Sequence, residues 1–137
     1  MNKKPSKPRK PIPTDPGAPS NWVGHTFVGR ASGHTGNVEM RWLRIGNNLT
    51  IEVPRYMFSA IANHNKANIN IIVDAHAAGE WKLNSPDSMK QDGQWHVWDA
   101  RGTLALGSST RITVKVVFIF DMGGPDDRAT VILEFNV

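Results

Sequence analysis

The sequence predicts an all-β fold: an antiparallel two-sheet β-sandwich or jelly roll of about seven to eight strands, preceded by an extended basic N-terminal arm. Three observations carry this expectation. From Asn21 onward the apolar side chains recur with period two, which is the strand period and not the helical one. Turn signals (Gly46-Asn47-Asn48, Asp92-Gly93, Gly123-Gly124-Pro125) punctuate the periodic runs. Six of the nine prolines fall within the first 20 residues, ahead of all of this.

The arm comes first. Pro5, Pro8, Pro11, Pro13, Pro16 and Pro19 each remove a backbone donor, fix φ and restrict the preceding residue, so helix and sheet are both blocked. Met1 and Ile12 are its only sizeable apolar side chains, too few to offset the entropy of ordering. The expectation is an extended, mobile segment 1–20 that reaches roughly 60 Å at ~3.1 Å per residue. Residues 21–137 then form one domain, large enough for a core without metal or disulfide staples.

Within that domain, weaker strands are expected at 22–29 and 37–45. In the second, Val38, Met40 and Trp42 share a face before Leu43 and Ile45 change phase, which predicts a bulge after Trp42. Leu49, Ile51 and Val53 alternate with Thr50 and Glu52. Pro54 suits the first position of a short helix, with Tyr56, Met57, Ala60 and Ile61 facing inward before Asn63-His64-Asn65 ends it. Ile69, Ile71, Val73 and Ala75 form the next strand face, carried on to His76. A further strand is expected at 95–106. The run Ile112–Phe120 is apolar on both faces, with Lys115 its only charge, so both faces need cover. Val131, Leu133, Phe135 and Val137 close the chain as its hairpin partner. No internal repeat is present.

Charge is divided along the chain. Lys3, Lys4, Lys7, Arg9 and Lys10 give residues 1–10 a charge of +5, whereas residues 11–137 carry 11 Lys and Arg against 12 Asp and Glu, a net −1. A cationic segment without acids attracts a polyanion. With no aromatic side chain interleaved, the expected contact is with phosphates and independent of base sequence. Pro5-Ser6-Lys7-Pro8-Arg9-Lys10 also fits the Pro-x-x-Pro-x-basic pattern of an SH3 ligand.

Signals for catalysis are sparse. With no cysteine, a disulfide framework, a thiolate zinc site and a cysteine nucleophile are excluded together. His25, His34, His64, His76 and His96 include no pair at zincin spacing. Asp74 and His76 are expected on one strand face, about 7 Å apart along it. Neither a Gly-x-Ser-x-Gly elbow nor a Ser-x-x-Lys occurs. Gly29–Gly36 is glycine-rich but lacks the Gly-Lys-Ser/Thr ending of a phosphate loop, and reads as a flexible connection between strands. Glu39, Glu52, Glu80 and Glu134 sit on or beside strands without a paired-carboxylate spacing. The expectation is a protein that is not an enzyme and takes no cofactor.

Two weaker binding signals remain. Asp121, Asp126 and Asp127 surround a tight turn and are candidate oxygen ligands for a hard cation, without the alternating spacing of an EF-hand. Trp81, Trp95 and Trp98 are candidate aromatic contacts for a sugar, a base or a neighbouring subunit, and Trp95 and Trp98 are expected on opposite sides of their strand. No apolar stretch follows the N-terminal charges, and the longest apolar run, Val116–Phe120, is too short to span a bilayer, so no membrane partner is expected and the location expected is a virion or the cytoplasm. Asn48-Leu49-Thr50, a sequon in form, is read as a turn entering a strand.

A near-neutral β-sandwich behind a basic arm is similar in layout to the small jelly-roll coat proteins of RNA viruses and their satellites. The resemblance covers the whole chain as architecture and rests on no motif. It implies an assembly protein whose partners are copies of itself and nucleic acid. A lectin-like carbohydrate-binding module and an accessory viral RNA-binding protein are the alternatives.

Overall fold

The computed structural model describes residues 21–137, and eight strands lie among these described residues. They are β1 (Val23–Ala31), β2 (His34–Ile45), β3 (Asn48–Phe58), β4 (Asn68–Asp74), β5 (Glu80–Asn84), β6 (His96–Ala105), β7 (Arg111–Phe120) and β8 (Asp127–Asn136). Two four-stranded antiparallel sheets result, with orders β1-β2-β3-β6 and β5-β4-β7-β8. The first three strands are laid down as a meander. The chain then crosses to the second sheet for β4 and β5, returns to place β6 beside β3, and finishes with the β7–β8 hairpin.

The sheets share one core because alternate side chains of each point to the other. Phe27, Val38, Met40, Trp42, Leu49, Ile51 and Phe58 come from the first sheet, and Ile69, Ile71, Val73, Ile112, Val114, Val116, Phe118 and Phe120 from the second. Burying a side chain of this size contributes ~1.5–3 kcal/mol. Phe58 meets Phe118 and Phe120 edge-on, with ring centroids 6.0 and 5.6 Å apart. On the other face of β7, Ile119 is also buried and Val117 half-buried, so much of the cover that this face needs comes from the chain itself.

Two places where the rings meet glycine bring the sheets close. Phe118 lies against the backbones of Gly29 and Gly36, which are cross-strand partners. A Cβ on Gly29 would stand 2.6 Å from Phe118 Cδ2, and one on Gly36 would clash with Cδ1 and Cγ of the same ring. On the β6 side, the Trp81 indole occupies the space of a side chain at Gly102. The Gly29–Gly36 segment is therefore an ordered hairpin and not the flexible connection expected from its composition. Its two-residue turn, Ser32-Gly33, has φ of 51° and 80°, the left-handed pair that matches strand twist.

The expected helix at 54–61 is absent; β3 runs through Pro54 to Phe58. A proline inside a strand with neighbours on both sides needs a bulge, since it has no N–H to give the ladder. Two are present. Between β2 and β3 the register shifts so that Val53 and Pro54 oppose Met40, and between β3 and β6 it shifts so that Trp98 and Asp99 oppose Pro54. Asp99 takes φ 53° there. Tyr56 and Phe58 then alternate inward as strand residues, not at helical spacing. The phase change in β2 is real, with Trp42 and Leu43 both buried, but the bulge faces Met40 instead of following Trp42.

The fourth strand stops at Asp74, not His76. Asp74 Oδ1 accepts the backbone N–H of His76 at 2.8 Å, and a short 3₁₀ turn, His76–Ala78, begins at once. His76, with φ 63°, is thus off the strand, and the two side chains do not form the expected pair on one face. β5, which follows, has no counterpart among the expected strands. The turn expected at Gly46-Asn47 joins β2 to β3, with Gly46 at φ 61°.

Candidate functional site

The outer face of the β1-β2-β3-β6 sheet carries a network of paired charges. Antiparallel pairing sets Arg41 opposite Glu52 and Glu52 opposite Arg101, and sets Glu39 opposite Arg55. Arg41 Nε donates to Glu52 Oε1 at 2.6 Å, Arg55 Nη2 to Glu39 Oε2 at 2.7 Å, and Arg101 Nη2 to Asp99 Oδ1 at 3.2 Å. Glu39 holds the Arg55 guanidinium above its ordinary pKa, chiefly by that hydrogen bond. At this exposure each pair contributes ~0.2–1 kcal/mol at most.

Aromatic rings border this network. The Arg55 guanidinium lies 4.2 Å from the centroid of Trp95, and that of Arg41 lies 5.4 Å from Trp22. Trp95 is 36% exposed and lies two positions from Val97, which at 83% is the most exposed large apolar side chain among the described residues. Trp98 turns the other way, half-buried against the core and edge-on to Tyr56 at 6.3 Å. Trp95 and Trp98 face opposite sides as expected, because simple alternation sets Trp95 and Val97 outward and His96 and Trp98 inward. Trp81 is committed to packing over Gly102. Of the three candidate tryptophan contacts, Trp95 alone is exposed.

No family model, curated protein or solved structure matches the chain. The chemistry of the site therefore has to be read from its own residues.

At the end of the sandwich next to Trp95, His96 and Asp92 form a pair. His96 Nε2 lies 2.9 Å from both carboxylate oxygens of Asp92, and its ring stacks on Tyr56 at 5.4 Å. The hydrogen bond to His96 is the main cause holding the Asp92 carboxyl below its usual range, helped by the N–H of Gln94. Asp92 thereby fixes the turn at Gly93, which has φ 73°.

The carboxylates at 121, 126 and 127 are drawn to different tasks. Asp121 Oδ2 accepts the N–H of Lys66 at 3.2 Å, and its Oδ1 lies 3.7 Å from His64 Nδ1. Asp127 accepts Ser32 Oγ from the β1–β2 turn and its neighbour's N–H, from Arg128, at 2.9 Å. The Ser32 bond is the larger cause of its lowered pKa. Asp126 is exposed. Among the described residues no three His, Cys, Asp or Glu side chains lie together so as to hold a metal ion.

Sequence reasoning passes over Gln91, which is 2% exposed and joins three segments. Its Nε2 donates to the carbonyls of His64 and Asp121 at 2.8 and 2.9 Å, and its Oε1 accepts the Asp121 N–H at 3.0 Å. Trp42, also unremarked beyond its strand face, lines a depression of about 210 Å³ with Val23, Arg44 and Asn136, and its buried Nε1 has no partner. Lys3, Lys4, Lys7, Arg9 and Lys10 lie outside the described residues. Among the described residues no helix is long and apolar enough to cross a membrane.

Proposed function

We propose that this chain is a non-enzymatic assembly protein of the virion type, whose folded body meets copies of itself and whose basic segment contacts nucleic acid. The observation that carries the reading is the separation of charge. Residues 1–10 hold five cations and no acid. In the body, by contrast, Arg41, Arg55, Lys82, Arg101 and Arg111 each have a carboxylate within 4 Å. Residues 11–137 as a whole carry 11 Lys and Arg against 12 Asp and Glu, so the unbalanced positive charge that favours a polyanion is that of Lys3, Lys4, Lys7, Arg9 and Lys10. Kinship with jelly-roll coat proteins is proposed for the layers, two four-stranded antiparallel sheets, and not for strand-by-strand connectivity.

The test is an RNA titration at several salt concentrations. Five phosphate contacts at ~0.7 released counterions each give a slope of about −3.5 for log affinity against log salt on single strands. Replacing all five cations by Gln should abolish the slope, and random and homopolymer RNA should bind the native chain alike. Salt-dependent binding undiminished by the five substitutions moves the site to the body and overturns the proposal.

The lectin-like alternative has one observation in its favour, the exposed ring of Trp95. Arg55 already lies over that ring, and Trp81 and Trp98 are packed against the core, so the platform is narrow. Retention on a sugar resin that Trp95→Ala abolishes supports that alternative over assembly.

A further inference from the structure

Each sheet ends in two edge strands, and three of the four are protected against pairing with another chain. β5 has only five residues and carries Glu80 and Lys82. β6 is bulged at Asp99 and carries Asp99 and Arg101. β1 exposes Thr26 and Arg30 and contains Gly24 and Gly29. Short length, bulges, charges and glycines all discourage edge-to-edge association.

β8 has none of these defences along its centre. Its ten residues stay in unbroken register with β7, from Asn136 opposite Arg111 to Asp127 opposite Phe120. At the middle Thr130, Ile132 and Leu133 are exposed, Ile132 to 58%. The hydrogen-bonding parity is settled by Val137, whose N–H donates to Thr110 O at 2.8 Å. Bonds to β7 therefore come from odd-numbered residues, and the N–H and C=O of Arg128, Thr130, Ile132 and Glu134 point off the sheet.

We propose that this edge pairs with β8 of a second copy of the chain, antiparallel about a two-fold axis at Val131. An isologous contact must be self-complementary, and this strand is. With the axis at Val131, Arg128 stands opposite the partner's Glu134 and Thr130 opposite the partner's Ile132, and both pairs recur on the other side of the axis. All four outward-facing residues then exchange both backbone bonds. Moving the axis to Thr130 sets Glu134 against the partner's Asp126, a like-charge pair. Moving it to Ile132 sets Arg128 against the partner's Asn136 and forgoes the ion pair. Charge thus selects the register, and the backbone and Ile132 supply the adhesion. Glu134 Oε1 already accepts Arg111 Nη1 at 3.0 Å, and its second oxygen serves Arg128.

The inference rests on the assembly reading only in that both require copies to meet; it needs neither the basic segment nor nucleic acid. The experiment is sedimentation equilibrium of the full chain in nucleic-acid-free buffer, joined to cysteine cross-linking. The chain has no cysteine of its own, so each introduced thiol is unique. Val131→Cys, in a non-hydrogen-bonded pair with Cα atoms ~4.5 Å apart, should form a covalent dimer on mild oxidation. Leu133→Cys, whose two copies stand four positions apart and so roughly 13 Å, should not. Arg128→Glu and Glu134→Arg should each weaken association about tenfold, and an equimolar mixture of the two should restore it as a heterodimer. Circular dichroism checks that each variant is folded. A native chain that stays monomeric throughout overturns the proposal, as does a dimer that Leu133→Cys links or Val131→Cys does not. A dimer that binds no RNA leaves it standing and removes the nucleic-acid reading alone.

Discussion

The ring of Phe118 and the two glycines beneath it act as one unit. Gly36 has no room for a Cβ, which would clash with the Cδ1 side of the ring, and the ring packs against the backbone that Gly29 and Gly36 leave bare. Gly36→Ala should cost ~1–3 kcal/mol by overpacking, and Phe118→Ala ~3–5 kcal/mol by cavity formation. The two effects are not independent. Combining Gly36→Ala with Phe118→Leu should cost less than the sum of the single changes, since the shorter side chain vacates the space the new methyl needs. Urea denaturation of the four proteins in that cycle measures the coupling. Strict additivity would show that the ring and the glycine do not meet.

At the scale of the element, β3 explains why some of the fold is legible in the sequence and some is not. Period two is local, so the inward faces of β3, β4 and β7 can be read directly from Leu49-Ile51-Val53, Ile69-Ile71-Val73 and Ile112 to Phe120. The role of Pro54 is not local: it depends on bulges set by Met40 in one neighbour and by Trp98 and Asp99 in the other. Without those neighbours a proline followed by Tyr56, Met57, Ala60 and Ile61 fits a helix equally well. The packing of Trp81 and the bonding of Gln91 escape a sequence reading for the same reason, as their partners lie far along the chain at Gly102 and Asp121. The turn that leads into β6 carries a pH dependence of defined sign. The folded carboxyl of Asp92 is held low by His96, so its contribution is present above the ordinary carboxylate value of ~3.9 and disappears as pH falls through the lower folded value. Asp92→Asn should lower the denaturation midpoint near pH 6, and the two midpoints should converge once the pH falls below the folded carboxyl's lowered value. Midpoints offset equally at both pH values would remove the Asp92–His96 bond as the cause.

For the whole molecule, the proposed function places stability and polyanion contact on different stretches of chain. Among the described residues, the core draws on Phe27 through Ala129. Residues 1–10, conversely, hold five cations and no acid. A protein built this way should respond separately to two kinds of change. Lys7→Ala with Arg9→Ala should leave the urea midpoint unmoved and reduce the salt slope of RNA binding by about 1.4, at ~0.7 for each of the two cations removed from a phosphate. Phe118→Ala should lower the midpoint sharply; below the unfolding transition it should leave the slope alone, because the packing it disturbs lies between the sheets. Both variants, measured by both methods in one buffer series, form a two-by-two comparison. If the arm substitutions shift the midpoint as far as the phenylalanine does, the basic segment is part of the folded body, and the division of labour at about residue 20 is wrong.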